Sequence, residues 1–218
     1  MRALIKKEFA LCLHPTQAIF LLFSLFVFIP NYPYEVMFFF SGLAIFFVCL
    51  TARENDDLAF TCTLPVRKRK VALARMLYCM IFQGVTLVLA GAFTAVKEVC
   101  LPPEAQENLA GSTANFAFLG YGIFLLGVFD AIFFPLYFGN PRKVGVPFVL
   151  AGAAQFALIT LLIVLRFTAP LFAERLCTPD PAFMVEKGAA FCVCAALGSG
   201  LTVFALLYSS ARFERTDL

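Results

Sequence analysis

Carboxylates are the residues with which this chain could do chemistry, and they gather in few places. Glu54, Asp56 and Asp57 stand close together between two apolar runs, and Asp130 stands inside another, in Gly127-Val-Phe-Asp-Ala-Ile-Phe-Phe-Pro135. A tight acidic cluster can hold a cation, activate water or accept a proton. Each of those roles needs partners that the chain lacks. His14 is the sole histidine, and the eight cysteines form no Cys-x-x-Cys pair, so no metal centre is expected. No Ser or Cys has a plausible base beside it within an apolar run. No Gly-x-x-x-x-Gly-Lys-Ser/Thr loop or Gly-x-Gly-x-x-Gly turn is present to cradle phosphates. The chain is therefore expected to hold no cofactor and to be no enzyme.

The elements that must position these acids are membrane spans. Hydrophobic residues make up 61% of the 218, charged residues 14%, and Phe numbers 28; the mean hydropathy is +0.88. A chain of this length cannot hide so much apolar surface within itself. An α-helix crosses the hydrocarbon core with about 20 apolar residues. The runs predict spans near 17–29, 36–52, 71–96, 115–138, 144–167 and 188–210. The first is short and follows His14 and Pro15; full crossing and a shallow dip both remain open. Pro30, Asn31 and Pro33 force a tight turn after it. Continuous apolar runs without period-two alternation exclude a closed barrel. The fold class is thus all-α integral membrane, a single domain over 1–218 with six transmembrane helices.

Lys and Arg fix the orientation. One side receives all but Lys97, Arg166, Arg175 and Lys187 of the 17 basic residues. Both termini are therefore expected in the cytoplasm of a plasma membrane. The net charge of +3 follows from this topology and implies no nucleic-acid partner. No small-residue cleavage site follows Ile29, so the first run reads as a retained anchor.

Within the spans, Asp130 has two readings: a group lining or gating a substrate path, or a hydrogen bond that pins neighbouring helices with help from carbonyls freed at Pro135. Gln83 and Gln155 read as interhelical glue. Gly188, Cys192, Ala196 and Gly200 repeat every fourth residue and form a packing stripe, expected to meet a helix of the same chain before a second subunit. Cys100 and Cys177 fall in the two outer loops, where a disulfide or two free thiols are equally compatible with the spacing.

The segment 53–70 is longer than a connection requires. Its acids suit a helix N-terminus, and Leu58, Phe60, Thr61 and Leu64 follow before Pro65 stops it. Leu58, Thr61 and Leu64 at three-residue spacing predict a short helix with an apolar edge toward the cytosol. Arg67-Lys-Arg-Lys70 then sits where anionic headgroups would meet it. Residues 1–14 predict an interfacial amphipathic helix: Met1, Leu4, Ile5, Phe9 and Cys12 share one face and Lys6 and Lys7 oppose it. Glu8 falls on the apolar face.

Met1-Arg-Ala-Leu-Ile-Lys-Lys-Glu-Phe, the hairpin turn, Glu54…Thr63-Leu-Pro-Val-Arg67 leading into Val71-Ala-Leu-Ala-Arg-Met-Leu77, and Phe134-Pro-Leu-Tyr-Phe-Gly-Asn-Pro-Arg-Lys143 together resemble the ABC-2 type permeases, in the small subgroup that includes bacterial exporters of amphipathic peptides. The resemblance covers essentially the whole chain, with Leu-Pro-Val-Arg its most specific part. It implies a transmembrane subunit that pairs with a second permease chain, as homo- or heterodimer, and with two ATPase subunits that bind ATP and Mg. It also implies that the first cytosolic loop is a coupling helix seated on the ATPase, with contact from Glu54, Asp56, Asp57, Leu58, Phe60, Thr61 and Leu64, and Asp57, Leu58 and Phe60 foremost. Export of amphipathic peptides or other hydrophobic cargo is the function so implied. A second reading is a non-transporting scaffold or immunity protein that binds a membrane-active peptide. An ion-coupled carrier is disfavoured by the absence of internal repeats and of several intramembrane ionisable groups.

Overall fold

In the computed structural model, residues 1–12, 15–100, 108, 111–178 and 181–216 are described. Among them every regular element is helical. Helix α1 runs over Arg2–Cys12 and α2 over Pro15–Leu22, followed by a 3₁₀ turn, Phe23–Phe28. Helix α3 is Val36–Glu54, α4 Asp57–Thr63, α5 Lys68–Cys100, α6 Phe116–Gly139, α7 Gly145–Thr168 and α8 Met184–Glu214. A π-helical turn, Leu171–Leu176, and a 3₁₀ turn, Pro181–Phe183, lie between α7 and α8.

Five of these helices, α3 and α5 to α8, are long and apolar enough to cross a membrane. The sixth run behaves differently. Residues Thr16–Phe28 turn by 87° from Arg2–Leu11, and the two together pass as a span only if counted as one broken element. The run from Pro15 is too short for a full crossing by itself, and it tightens into 3₁₀ geometry before the Pro30 and Pro33 turn.

Local chemistry sets the helix ends. The Asn115 side chain accepts a hydrogen bond from the Phe118 N–H at 3.1 Å, capping α6. Pro65 follows α4, and Asn140-Pro141 follows α6. Pro147 sits in the first turn of α7, where its missing N–H costs no helical bond. Pro135 lies inside α6 and frees a carbonyl there.

Helix α6 is the axis of the bundle. Of its most apolar stretch 61% is buried within the protein, against 11% for α8. Phe129, Phe133 and Tyr137 stack along it at 5.1 and 5.7 Å, at the heart of a buried cluster with Cys49, Leu58, Met76, Ala205 and Phe213. Several of the 28 phenylalanines thus pack the interior, Phe38, Phe118, Phe134 and Phe138 among them, and do not face lipid. Helices α6 and α8 touch backbone to backbone. A Cβ added at Gly127 would lie 2.3 Å from the Gly198 carbonyl oxygen, and one at Gly198 would lie 2.4 Å from that of Ile123. Only glycine permits this approach.

That contact corrects the expected packing face of α8. Cys192, Ala196 and Gly200 are exposed, and a Cβ at Gly188 or Gly200 would meet nothing within 4 Å. Gly198 lies two residues, roughly 200° around the helix, from both Ala196 and Gly200. The four-residue stripe therefore faces away from the chain's own helices, and Gly198 on the opposite side makes the internal crossing.

Candidate functional site

The acidic cluster, the N-terminal helix and the base of α5 meet at the Lys- and Arg-rich end of the bundle. Arg75, about two turns into α5, is fully buried and forms ion pairs through Nε with Glu8 of α1 and through Nη2 with Asp57 of α4. Lys7 closes the group from outside. Its Nζ lies 2.8 Å from Asp57 Oδ1 and 3.1 Å from Glu8 Oε1, and donates to Thr61 Oγ1 at 2.8 Å. Thr61 Oγ1 in turn donates to the Asp57 carbonyl at 2.7 Å. Burial would raise the Asp57 pKa, but the hydrogen bond from Lys7 and the charges of Arg75 and Lys7 outweigh it and hold the carboxyl below its ordinary value. Two acids and two bases from three helices neutralise one another. The arrangement is a clamp, and with every carboxylate so engaged it is no site for a cation.

The clamp decides which face of α4 is offered outward. Leu58 is 5% exposed and belongs to the apolar core, and Thr61 is buried. Their edge turns inward, against the expectation of a cytosolic apolar edge. Phe60 is 69% exposed and Leu64 46%, with Glu54, Asp56 and Thr63 also exposed. Asp56 adopts φ 47°, the left-handed conformation that lets the chain reverse between α3 and α4. Two cavities flank the helix. One of about 330 Å³ lies on the Phe60 side, lined by Leu11, Gln17, Phe47, Thr51 and Asn55. The other, of about 370 Å³, lies between α4 and the turn after α6, with Arg53, Asp56, Ala59, Tyr137 and Arg142.

The remaining candidates stand apart from this site. Asp130 is fully buried in α6; Gln83 Nε2 of α5 donates to its Oδ1 at 2.7 Å and Thr202 Oγ1 of α8 to its Oδ2 at 3.0 Å. Three helices share this carboxylate, which is the pinning geometry. Gln155 Nε2 donates to the Leu125 carbonyl at 3.1 Å, joining α7 to α6. Cys100 is exposed and Cys177 half-buried, and both are free thiols.

At the opposite end, Arg166 pairs with Glu35 at the base of α3, and Ser112 Oγ donates to Glu35 Oε2 at 3.1 Å and accepts from Arg166 Nη1 at 2.6 Å. Neither this group nor Lys7, Glu8 and Arg75 was among the site residues expected from the sequence. One signal was visible: an acid on the apolar face of α1 demands a buried base, and Arg75 lies within an apolar run.

A sequence profile of the ABC-2 family transporter proteins matches residues 3–211. The chain belongs to that family. The match runs from the first turn of α1 to the last turn of α8, so it takes in the clamp and all but the last three residues of the five long helices. This ABC-2 chain is accordingly a multi-pass membrane protein and the permease subunit of an ABC transporter, a class of subunit that works with ABC ATPases. No curated protein and no solved structure matches it.

Proposed function

We propose that this permease exports hydrophobic cargo, amphipathic peptides foremost, and that α4 is the coupling helix through which an ATPase drives it. Both termini and α4 then lie in the cytoplasm, where Lys and Arg concentrate. ATP and Mg are bound by the ATPase, and a second permease chain completes the path.

One observation carries this reading: α4 is pinned on its inner side by Asp57, Leu58 and Thr61 and bare on its outer side at Phe60 and Leu64. An exposed phenylalanine on a short helix is the kind of aromatic that protein interfaces bury, and Leu64 widens the apolar patch around it. Displacement of α4 reaches α5 through Arg75 and α1 through Lys7 and Glu8, so the three helices move as a unit. Glu54 and Asp56 supply charge at the rim, and Asp57, Leu58 and Thr61 hold the helix in place.

The test is co-purification with the cognate ATPase. Phe60→Asp and Leu64→Asp are each expected to abolish capture while gel filtration and helix content stay those of the parent. Undiminished capture by both variants would reject α4 as the docking element.

A further inference from the structure

The cavity of about 330 Å³ beside Phe60 is enclosed by the end of α1, the start of α2 and the last turns of α3. Gln17 of α2 lines it and is only 4% exposed. Its Oε1 accepts from the Tyr78 hydroxyl of α5, which holds the amide in place. An amide that gives its oxygen to one partner still has two N–H donors to place. Those of Gln17 find no acceptor among the described residues. A donor so enclosed is disfavoured, and the cavity is where an acceptor can reach it.

The surroundings select the kind of acceptor. No basic side chain lines the space among the described residues, and Asp57 on its wall is already engaged by Arg75 and Lys7. An anion would meet a carboxylate there and no counter-charge, so the fitting acceptor is uncharged. One border is apolar and exposed: Leu11, and Phe47 stacked on Phe20 at 5.8 Å. The other border is neutral and polar, with Thr51 and Asn55 at the close of α3. Depth narrows the choice further. Arg53, in the last turn of α3, marks the headgroup level, and Phe47 lies six residues, about 9 Å, deeper. The interfacial layer of a bilayer is about 5–7 Å thick on each side, and lipid esters lie within it.

We infer that this cavity holds a bilayer glycerolipid by its acyl ester, whose carbonyl accepts from the Gln17 amide while the attached chain runs down along Phe47. The amide gains the acceptor it lacks within the chain. The headgroup stays outside, so the site reads the ester and is indifferent to headgroup charge.

The experiment uses the full chain in detergent micelles with a diester phosphatidylcholine that carries a photoactivatable group near the top of one acyl chain. Adducts, mapped by mass spectrometry, are expected on peptides containing Leu11 and Phe47. Unlabelled diester phosphatidylcholine and diester phosphatidylglycerol should suppress them alike. The diether analogue of phosphatidylcholine keeps headgroup and chains but lacks the carbonyl, and it should compete about tenfold less well. Gln17→Leu is expected to erase that difference, and Thr51→Trp, which fills the mouth from an exposed position, to remove labelling. With the cognate ATPase bound, the adducts should persist. Equal competition by diester and diether lipid, a preference for phosphatidylglycerol, adducts confined to other peptides, or a diester preference retained in Gln17→Leu would each overturn the assignment. Protection by the ATPase would overturn it too, by giving the cavity to a side chain of that partner. The comparison of diester with diether on the parent chain stands whether or not either variant folds.

Discussion

Arg75 has no exposed surface and two carboxylates to face, so its removal is the most damaging single change at the clamp. Arg75→Met leaves Glu8 and Asp57 without their shared cation and is expected to destabilise by about 3–5 kcal/mol, read as thermal unfolding in detergent. Adding Glu8→Gln and Asp57→Asn to that variant should recover a large part of the loss, because charges removed together leave none stranded. The pH dependence follows from Asp57. Its pKa is depressed in the fold, so its contribution is fully present above the unfolded value of about 4 and is lost as pH falls through the depressed value. Melting temperature should be level from about pH 8 to 5 and decline below about 4, and Asp57→Asn should blunt the decline. An identical decline in Asp57→Asn would assign it to other groups. The conflict at Glu8 was legible in the sequence, but its resolution was not, because Arg75 lies 67 positions away. The same holds for the basic residues that break the charge asymmetry. Lys97, Arg166 and Lys187 are buried, and only Arg175 meets solvent, 3.8 Å from Glu186. They are buried cations within helices, and the orientation rule applies to charges in loops.

At the scale of elements, the glycines of α8 separate two kinds of small residue. Gly198→Ala drives a Cβ against the Ile123 carbonyl, and since backbone cannot step aside the cost is expected at about 1–3 kcal/mol. Gly200→Ala meets nothing and should be neutral or gain up to about 1 kcal/mol from helix propensity. Melting of the two variants side by side checks the contrast; equal losses would contradict the crossing described. Periodicity identified which residues of α8 share a face. It could not say what that face meets, because both sides carry small residues and the partner helix is remote in sequence. The segment around α4 was subject to the same limit. A short helix after the acids and before Pro65 was readable, whereas its rotation, with Leu58 inward and Phe60 outward, depends on Arg75 and the core of α6. The long helices were legible because their apolar runs exceed what any soluble segment needs. The run after Pro15 was not: the sequence left a full crossing and a shallow dip both open, and the 87° bend from α1 is not written in its periodicity.

For the whole molecule, the proposed drive from an ATPase needs a stiff path from α4 into the bundle. The core around Phe129, Phe133 and Tyr137 extends to Leu58 of α4, and the clamp ties α1, α4 and α5 beside it. Force applied at Phe60 therefore enters a packed interior and is not absorbed by a loose loop. The family was readable from the sequence because the features that carry it, the loop length, the Leu-Pro-Val-Arg stop and the span count, are local. The cargo is not local: it depends on surfaces assembled from residues remote in sequence. The most direct test is ATP turnover by the cognate ATPase, reconstituted with this chain in lipid nanodiscs. The account predicts that the parent chain changes turnover, and that Phe60→Asp returns it to the rate of the ATPase alone while Gly200→Ala does not. Turnover that responds equally to the parent and to Phe60→Asp would contradict it.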